Sequence, residues 1–125
     1  MNAAAYPTEH EEQCAVIEWA AYMQNTYPAL VWLFAIPNGG ARHKAVAAKL
    51  NAEGVKRGVP DLFLPYPVGG WHGLWLEMKR HGGVWRAEQK EFCEYARAAG
   101  YVYALCWSTD EAITALTDYL EGKTK

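Results

Sequence analysis

The sequence predicts an α/β domain built on a mixed central sheet with helices on its flanks. Three observations carry that reading. Helix and strand signals alternate along the chain in the order αβαββαβα, a layered pattern rather than that of a bundle or sandwich. Two apolar runs, Asp61-Leu-Phe-Leu and Leu74-Trp-Leu-Glu77-Met, flank a Pro- and Gly-rich stretch, the mark of a strand hairpin. Capping-box signatures, Thr8-Glu-His-Glu11 and Ser108-Thr-Asp-Glu111, stand before the first and last helical segments. With 125 residues, 51% of them hydrophobic, and neither repeat nor linker, the chain is expected to form one domain over 1–125, its core between about 8 and 120.

Each element follows from its residues. Thr8 can cap a helix that Glu11 closes from the inside, and Val16, Ala20 and Met23 form one stripe with Trp19 beside it, so the helix is expected to reach about Asn25. Val31-Trp-Leu-Phe-Ala-Ile36 is a continuous apolar run closed by Pro37-Asn-Gly-Gly40, expected to be a buried strand and a turn. His43 to Glu53 reads as helix, stopped by Gly54. Asp61 to Leu64 and Leu74 to Lys79 read as paired strands around the tip Pro65 to Gly73. After the break at His81-Gly-Gly83 come a helix from about Arg86 to Ala99, a strand from Tyr101 to Trp107 and a capped helix to about Leu120. The tail Glu121 to Lys125 is expected to fray.

Composition removes several classes. There is no run of about 18 apolar residues for a membrane span. The opening Met1-Asn-Ala-Ala-Ala-Tyr-Pro has neither the basic nor the long apolar part of a signal peptide, so a cytoplasmic location is expected. Cys14, Cys93 and Cys106 are odd in number and widely spaced, which fits buried free thiols in a reducing compartment. His10, His43, His72 and His81 lack zinc-like spacing and read as surface residues.

The net charge of −2 hides an asymmetry. Arg42 to Lys90 holds nine basic and four acidic residues, a formal +5, and the remainder carries −7. The positive block surrounds Asp61 and Glu77, as a phosphate-backbone substrate would require; an ordinary solvated surface is the plain alternative.

Those two carboxylates are the centre of the functional reading. Asp61 at the start of one strand and Glu77 near the end of its antiparallel neighbour can lie side by side, and Lys79, two residues on, shares the face of Glu77. Mg²⁺ is held by one or two carboxylates with waters and substrate phosphate, and an ammonium nearby can orient water or stabilise the charge of the transition state. The arrangement points to metal-dependent phosphodiester hydrolysis. The plain alternative is a surface Glu77–Lys79 pair, but a carboxylate set between Leu-Trp-Leu and Met78 is expected to be partly buried and to need a partner.

At this point the sequence resembles the VRR-NUC branch of the PD-(D/E)XK nucleases. The matches are Gly58-Val-Pro-Asp61-Leu-Phe-Leu, then Leu76-Glu-Met-Lys79, then Gln89, with Thr8-Glu9 and Gln13 on the first helix, Pro37-Asn38-Gly39-Gly40 and Gly100-Tyr-Val. They cover roughly Thr8 to Leu120. The resemblance implies an αβββαβ core like that of restriction endonucleases and Mg²⁺-dependent cleavage of DNA, with Mn²⁺ as substitute. It makes Asp61, Glu77 and the Met78 backbone carbonyl metal ligands, Lys79 the catalytic lysine and Gln89 a residue of the active site. Glu9 becomes the first-helix glutamate, completing the metal site directly or through water. Glu12 is the second choice, since Glu9, Glu12, Gln13 and Val16 share a stripe; its plain alternative is complementing the helix dipole. One departure is Arg86 where this family often has Ser or Thr.

Arg42, Lys44, Lys49, Lys56 and Arg57 are expected to include contacts to the DNA backbone, and Asn38 belongs to the turn that can let a backbone approach. Trp71 at the hairpin tip reads as an exposed wedge or interface residue. Small stand-alone members of the family imply a phage or prophage protein in a bacterial cell. They also imply a homodimer cutting four-way (Holliday) junctions, which suits a two-fold pair of sites. The competing readings are a flap, fork or nicking nuclease with the same site, and a non-catalytic DNA-binding module.

Overall fold

The computed structural model describes residues 6–37 and 44–125. Helix α1 runs Glu9–Tyr22, a 3₁₀ turn Pro28–Trp32, strand β1 Phe34–Ala35 and helix α2 Lys44–Ala52. Strands β2 (Leu62–Leu64) and β3 (Leu74–Met78), helix α3 (Ala87–Ala98), strand β4 (Val102–Cys106) and helix α4 (Thr109–Leu120) follow. The sheet order is β1-β2-β3-β4: the first three strands are antiparallel and β4 is parallel to β3. The alternation predicted from sequence is therefore realised as a mixed sheet between helices.

Strand periodicity divides the sheet's two faces. Leu62, Leu64, Leu74, Leu76, Met78 and Cys106 face the larger core with Val16 and Ala20 of α1 and Ala112, Leu116 and Tyr119 of α4. The opposite face packs Trp75, Tyr103 and Leu105 against Phe92, Cys93 and Ala96 of α3. Each of these fully buried aliphatic side chains contributes about 1.5–3 kcal/mol relative to exposure.

Local chemistry fixes the ends of the helices. Thr8 accepts the Glu11 N–H at 3.1 Å and Glu11 accepts the Thr8 N–H at 2.9 Å, the expected reciprocal box. Ser108 accepts the Glu111 N–H at 3.2 Å, but Glu111 reaches one residue further back, to the Trp107 N–H.

Four expectations need correction. The apolar run Val31–Ile36 is not a buried strand: Pro28 opens a 3₁₀ turn, the strand shrinks to Phe34–Ala35 at the sheet edge, and Val31, Trp32 and Phe34 are exposed. Trp71 is half-buried against the main core, because the bridge between Val68 and Trp71 folds the tip back. Cys14 is exposed, and only Cys93 and Cys106 are buried thiols. The start of the tail is tied down, since Tyr27 donates to Glu121, Lys123 pairs with Glu121 at 2.8 Å, and the Lys123 N–H reaches Asp118.

Candidate active site

The β2–β3 ladder builds the centre of the site. Leu62 stands opposite Leu76, so one step further brings Asp61 opposite Glu77. The Met78 N–H donates to Asp61 Oδ2 at 2.8 Å, which orients the Asp61 carboxylate toward the end of β3. In an extended strand the N–H and C=O of one residue project to the same side. The Met78 carbonyl therefore faces β2 as well, beside Asp61.

Glu77 is 3% exposed and Lys79 4%, so the plain surface-pair alternative fails. Among the described residues the close ion pairs are Arg57–Glu88 and Glu121–Lys123, and neither involves Lys79. Lys79 is placed at the end of β3 by its N–H, which donates to the Cys106 carbonyl at 2.8 Å. Its charge acts on both carboxyl groups, lowering the pKa of each.

Burial dominates the electrostatics. It raises the Asp61 pKa, against the Met78 hydrogen bond and the contact with Glu77, which lower it. Glu77 is pushed from 4.5 up to about 9, by burial first, then by the Asp61 charge and the hydrogen bond with Asp61. That hydrogen bond exists only while one of the two groups holds a proton. Glu77 Oε1 is buried and has no hydrogen-bond partner. Two adjacent acids in a dry place, one with an orphaned oxygen, are the donor set that suits a hard divalent cation. Asp61, Glu77 and the Met78 carbonyl would hold it.

Gln89 is held at both ends of its amide. Oε1 accepts the Arg86 N–H at 2.8 Å, and Nε2 donates to Glu77 Oε2 at 3.3 Å. The missing Ser or Thr at the start of α3 is thus half replaced, because Gln89 reaches back to the first backbone donor although the Arg86 side chain adds no cap bond. Trp85 just before it donates to Tyr103 at 3.2 Å, with Lys90 over its ring at 5.6 Å.

The first-helix glutamates part ways. Glu9 is exposed on the first turn of α1, close enough for its charge to raise the pKa of both Asp61 and Glu77. Among the described residues no three Asp, Glu, His or Cys side chains converge on one cation position, so Glu9 does not join the two acids in a ready-made metal cluster. Glu12 is engaged elsewhere: its Oε1 accepts the Thr109 N–H at 3.0 Å and the Thr109 hydroxyl at 2.5 Å, closing the start of α4. Sequence reasoning had no signal for this bond, because its partners lie 97 residues apart.

Lys44 and Lys49 are exposed on α2, and Lys56 and Arg57 are exposed on the turn before β2. That turn lies against α3, where a Cβ on Gly58 would stand 2.6 Å from the Glu88 carbonyl oxygen, so Lys56 and Arg57 border the helix start that carries Gln89. Arg57 faces Glu88 at 3.7 Å in a solvated pair. Arg42 and Asn38 lie outside the described residues. A groove of about 400 Å³ along the outer edge of β4, lined by Leu105, Cys106, Asp110 and Glu111, contains none of the candidate residues.

A solved structure described as a VRR_NUC domain protein superposes on this chain with a TM-score of 0.78, at 28% identity, over 93% of this chain and 90% of the other. The chain is thus similar in fold and in sequence to a VRR_NUC domain protein. No family model and no curated protein matches it. Of the residues that carried the resemblance, Asp61, Glu77 and Gln89 come together at the ends of β2 and β3 and the start of α3, with Lys79 just past the end of β3.

Proposed function

We propose that this chain is a VRR-NUC nuclease domain, a Mg²⁺- or Mn²⁺-dependent endodeoxyribonuclease that hydrolyses phosphodiester bonds in branched DNA, acting as a homodimer on four-way junctions. One observation carries the reading: the half-buried Asp61 stands beside the buried Glu77, which has an orphaned carboxylate oxygen, and the Lys79 charge acts on both. A core built only for stability would avoid a buried acid next to a second one.

A bound divalent cation supplies a water of lowered pKa and neutralises phosphate charge. The chain's own residues do the rest. Asp61 is aimed by Met78, and Glu77 by Gln89, so the acids are held before substrate arrives. Lys79 places a fixed positive charge where the pentavalent phosphorus gathers negative charge. Glu9, outside the pair, can hold a water in hydrogen-bond reach of the site. Lys44, Lys49, Lys56 and Arg57 give the DNA backbone its charge partners.

The test is cleavage of a four-way junction, a 5′ flap, a nicked duplex and a linear duplex with Mg²⁺ or Mn²⁺, with Asp61→Ala as control. Paired symmetric nicks in the junction, absent in Asp61→Ala while DNA binding persists, are expected. Cuts confined to flaps would keep the chemistry and discard the junction; binding without any cutting would favour a DNA-binding module.

A further inference from the structure

The strand registers align one aromatic residue from each of the four strands. Phe34 stands opposite Phe63, Phe63 opposite Trp75, and Trp75 opposite Tyr103. Side chains alternate along a strand, so this row shares its face with Asp61 and Glu77. Those acids lie two residues further along β2 and β3, about 6–7 Å away. The rings are in contact: Phe34 and Phe63 at 5.9 Å between centroids, Phe63 stacked on Trp75 at 4.0 Å and 23°. Tyr101 closes edge-on against both Phe63 and Trp75.

Helix α3 covers one half of the row. Its Phe92 meets Trp75 edge-on at 5.0 Å, and Cys93 and Ala96 cluster with Tyr103. The β1 end is open, with Phe34 46% exposed. Phe34 meets Phe63 tilted by 46°, and burying a phenyl ring is worth more than leaving it in water, so this exposed ring at the end of a row of contacting rings is available to a further flat partner. Nucleobases are such partners, and aromatic side chains on a sheet are a common way to hold unpaired ones.

We propose that Phe34 and Phe63 form a stacking platform for an unpaired nucleotide next to the scissile phosphate, so that the site selects DNA with a locally unpaired strand. The inference rests on the nuclease reading. Two features favour a nucleic acid over a second copy of the chain. The platform begins two residues from the acids, and it lies in a chain whose segment from Arg42 to Lys90 carries a formal +5. β1 is two residues long and offers another sheet edge little to pair with.

The experiment uses the full chain without divalent metal, so binding is read apart from cleavage. The probe is a short oligothymidylate carrying one 2-aminopurine, whose fluorescence is quenched on stacking, with a blunt duplex as comparison. The parent is expected to bind and quench the oligonucleotide. Phe34→Ala should weaken that binding by about fivefold to a hundredfold and relieve the quench, leaving duplex affinity unchanged. Phe34→Tyr should restore both, and the unchanged duplex affinity of Phe34→Ala separates lost stacking from a folding defect. Equal loss on oligonucleotide and duplex, or no loss on either, overturns the platform. So does a change from dimer to monomer in Phe34→Ala with oligonucleotide binding intact. A parent that binds no DNA of any kind removes the nuclease reading itself, and the platform with it.

Discussion

Replacing Gly58 by Ala tests how the approach to Asp61 is built. Gly58 has φ +89, and an added Cβ would stand 2.6 Å from the Glu88 carbonyl oxygen and 2.8 Å from its carbon. Gly54 has φ +99 with nothing within 4 Å of its Cβ position. Both replacements place an L side chain in the left-handed region, at about 1–2 kcal/mol. Only Gly58→Ala adds a collision with backbone, which cannot swing away as a side-chain tip can, and overpacking of that kind costs about 1–3 kcal/mol more. The two variants should therefore differ by about 1–3 kcal/mol, or roughly 3–15 °C in melting temperature for a chain of this size. Function should follow stability. Glu88 precedes Gln89, and Gly58 precedes Asp61 by three residues, so a wedge between Gly58 and Glu88 pries apart the two sides of the site. Thermal melts of both variants, followed by cleavage rates at a temperature where each is folded, provide the assay. Equal melting temperatures for Gly54→Ala and Gly58→Ala would refute the close approach of loop and helix.

The remaining outcomes concern the acids and their supports. Glu77 carries a folded-state pKa raised from 4.5 to about 9, so its contribution to metal-free stability is fully present below about 4.5 and is lost as pH rises through about 9. Melting temperature without metal should fall across that window, Mg²⁺ should restore it most at high pH, and Glu77→Gln should flatten the profile. A profile equally steep in Glu77→Gln would assign the titration to another group. Lys79→Ala should slow cleavage by about 10²–10³ while changing metal affinity far less, read by single-turnover kinetics and calorimetry; an enzyme as fast as the parent would remove the lysine from the mechanism. Gln89→Leu loses the bonds to Arg86 and Glu77 together and should cost about 1–2 kcal/mol in a denaturant melt along with a reduced rate.

Much of the site was legible because its parts are local. Asp61 and Glu77 sit on a hairpin, so spacing and apolar flanks imply their pairing and burial, and period two places Lys79 on the side of Glu77. The order of elements was legible for the same reason, since capping boxes, glycine stops and apolar runs are short-range signals. What escaped depends on distance. The run Val31–Ile36 has the composition of a buried strand, yet it begins inside a 3₁₀ turn opened by Pro28 and ends at the sheet edge, which leaves Val31, Trp32 and Phe34 outside. The stripe Glu9, Glu12, Gln13 is indifferent to which glutamate is engaged elsewhere; Thr109, far along the chain, takes Glu12. Trp71 looked exposed because a Gly-rich tip normally is, and only the fold brings the main core beneath it.

The bond between Glu12 and Thr109 also sets an order of events. Glu9 is carried by α1, and α1 packs on α4, which holds the Glu12 carboxylate at its first turn. Among the described elements α4 is the last to leave the ribosome. A nascent chain that already contains Asp61, Glu77 and Lys79 still lacks the surface that seats α1, so its first-helix acid is not yet stationed beside the pair. The first helix, and Glu9 with it, therefore finds its seat only once the last described helix has been made.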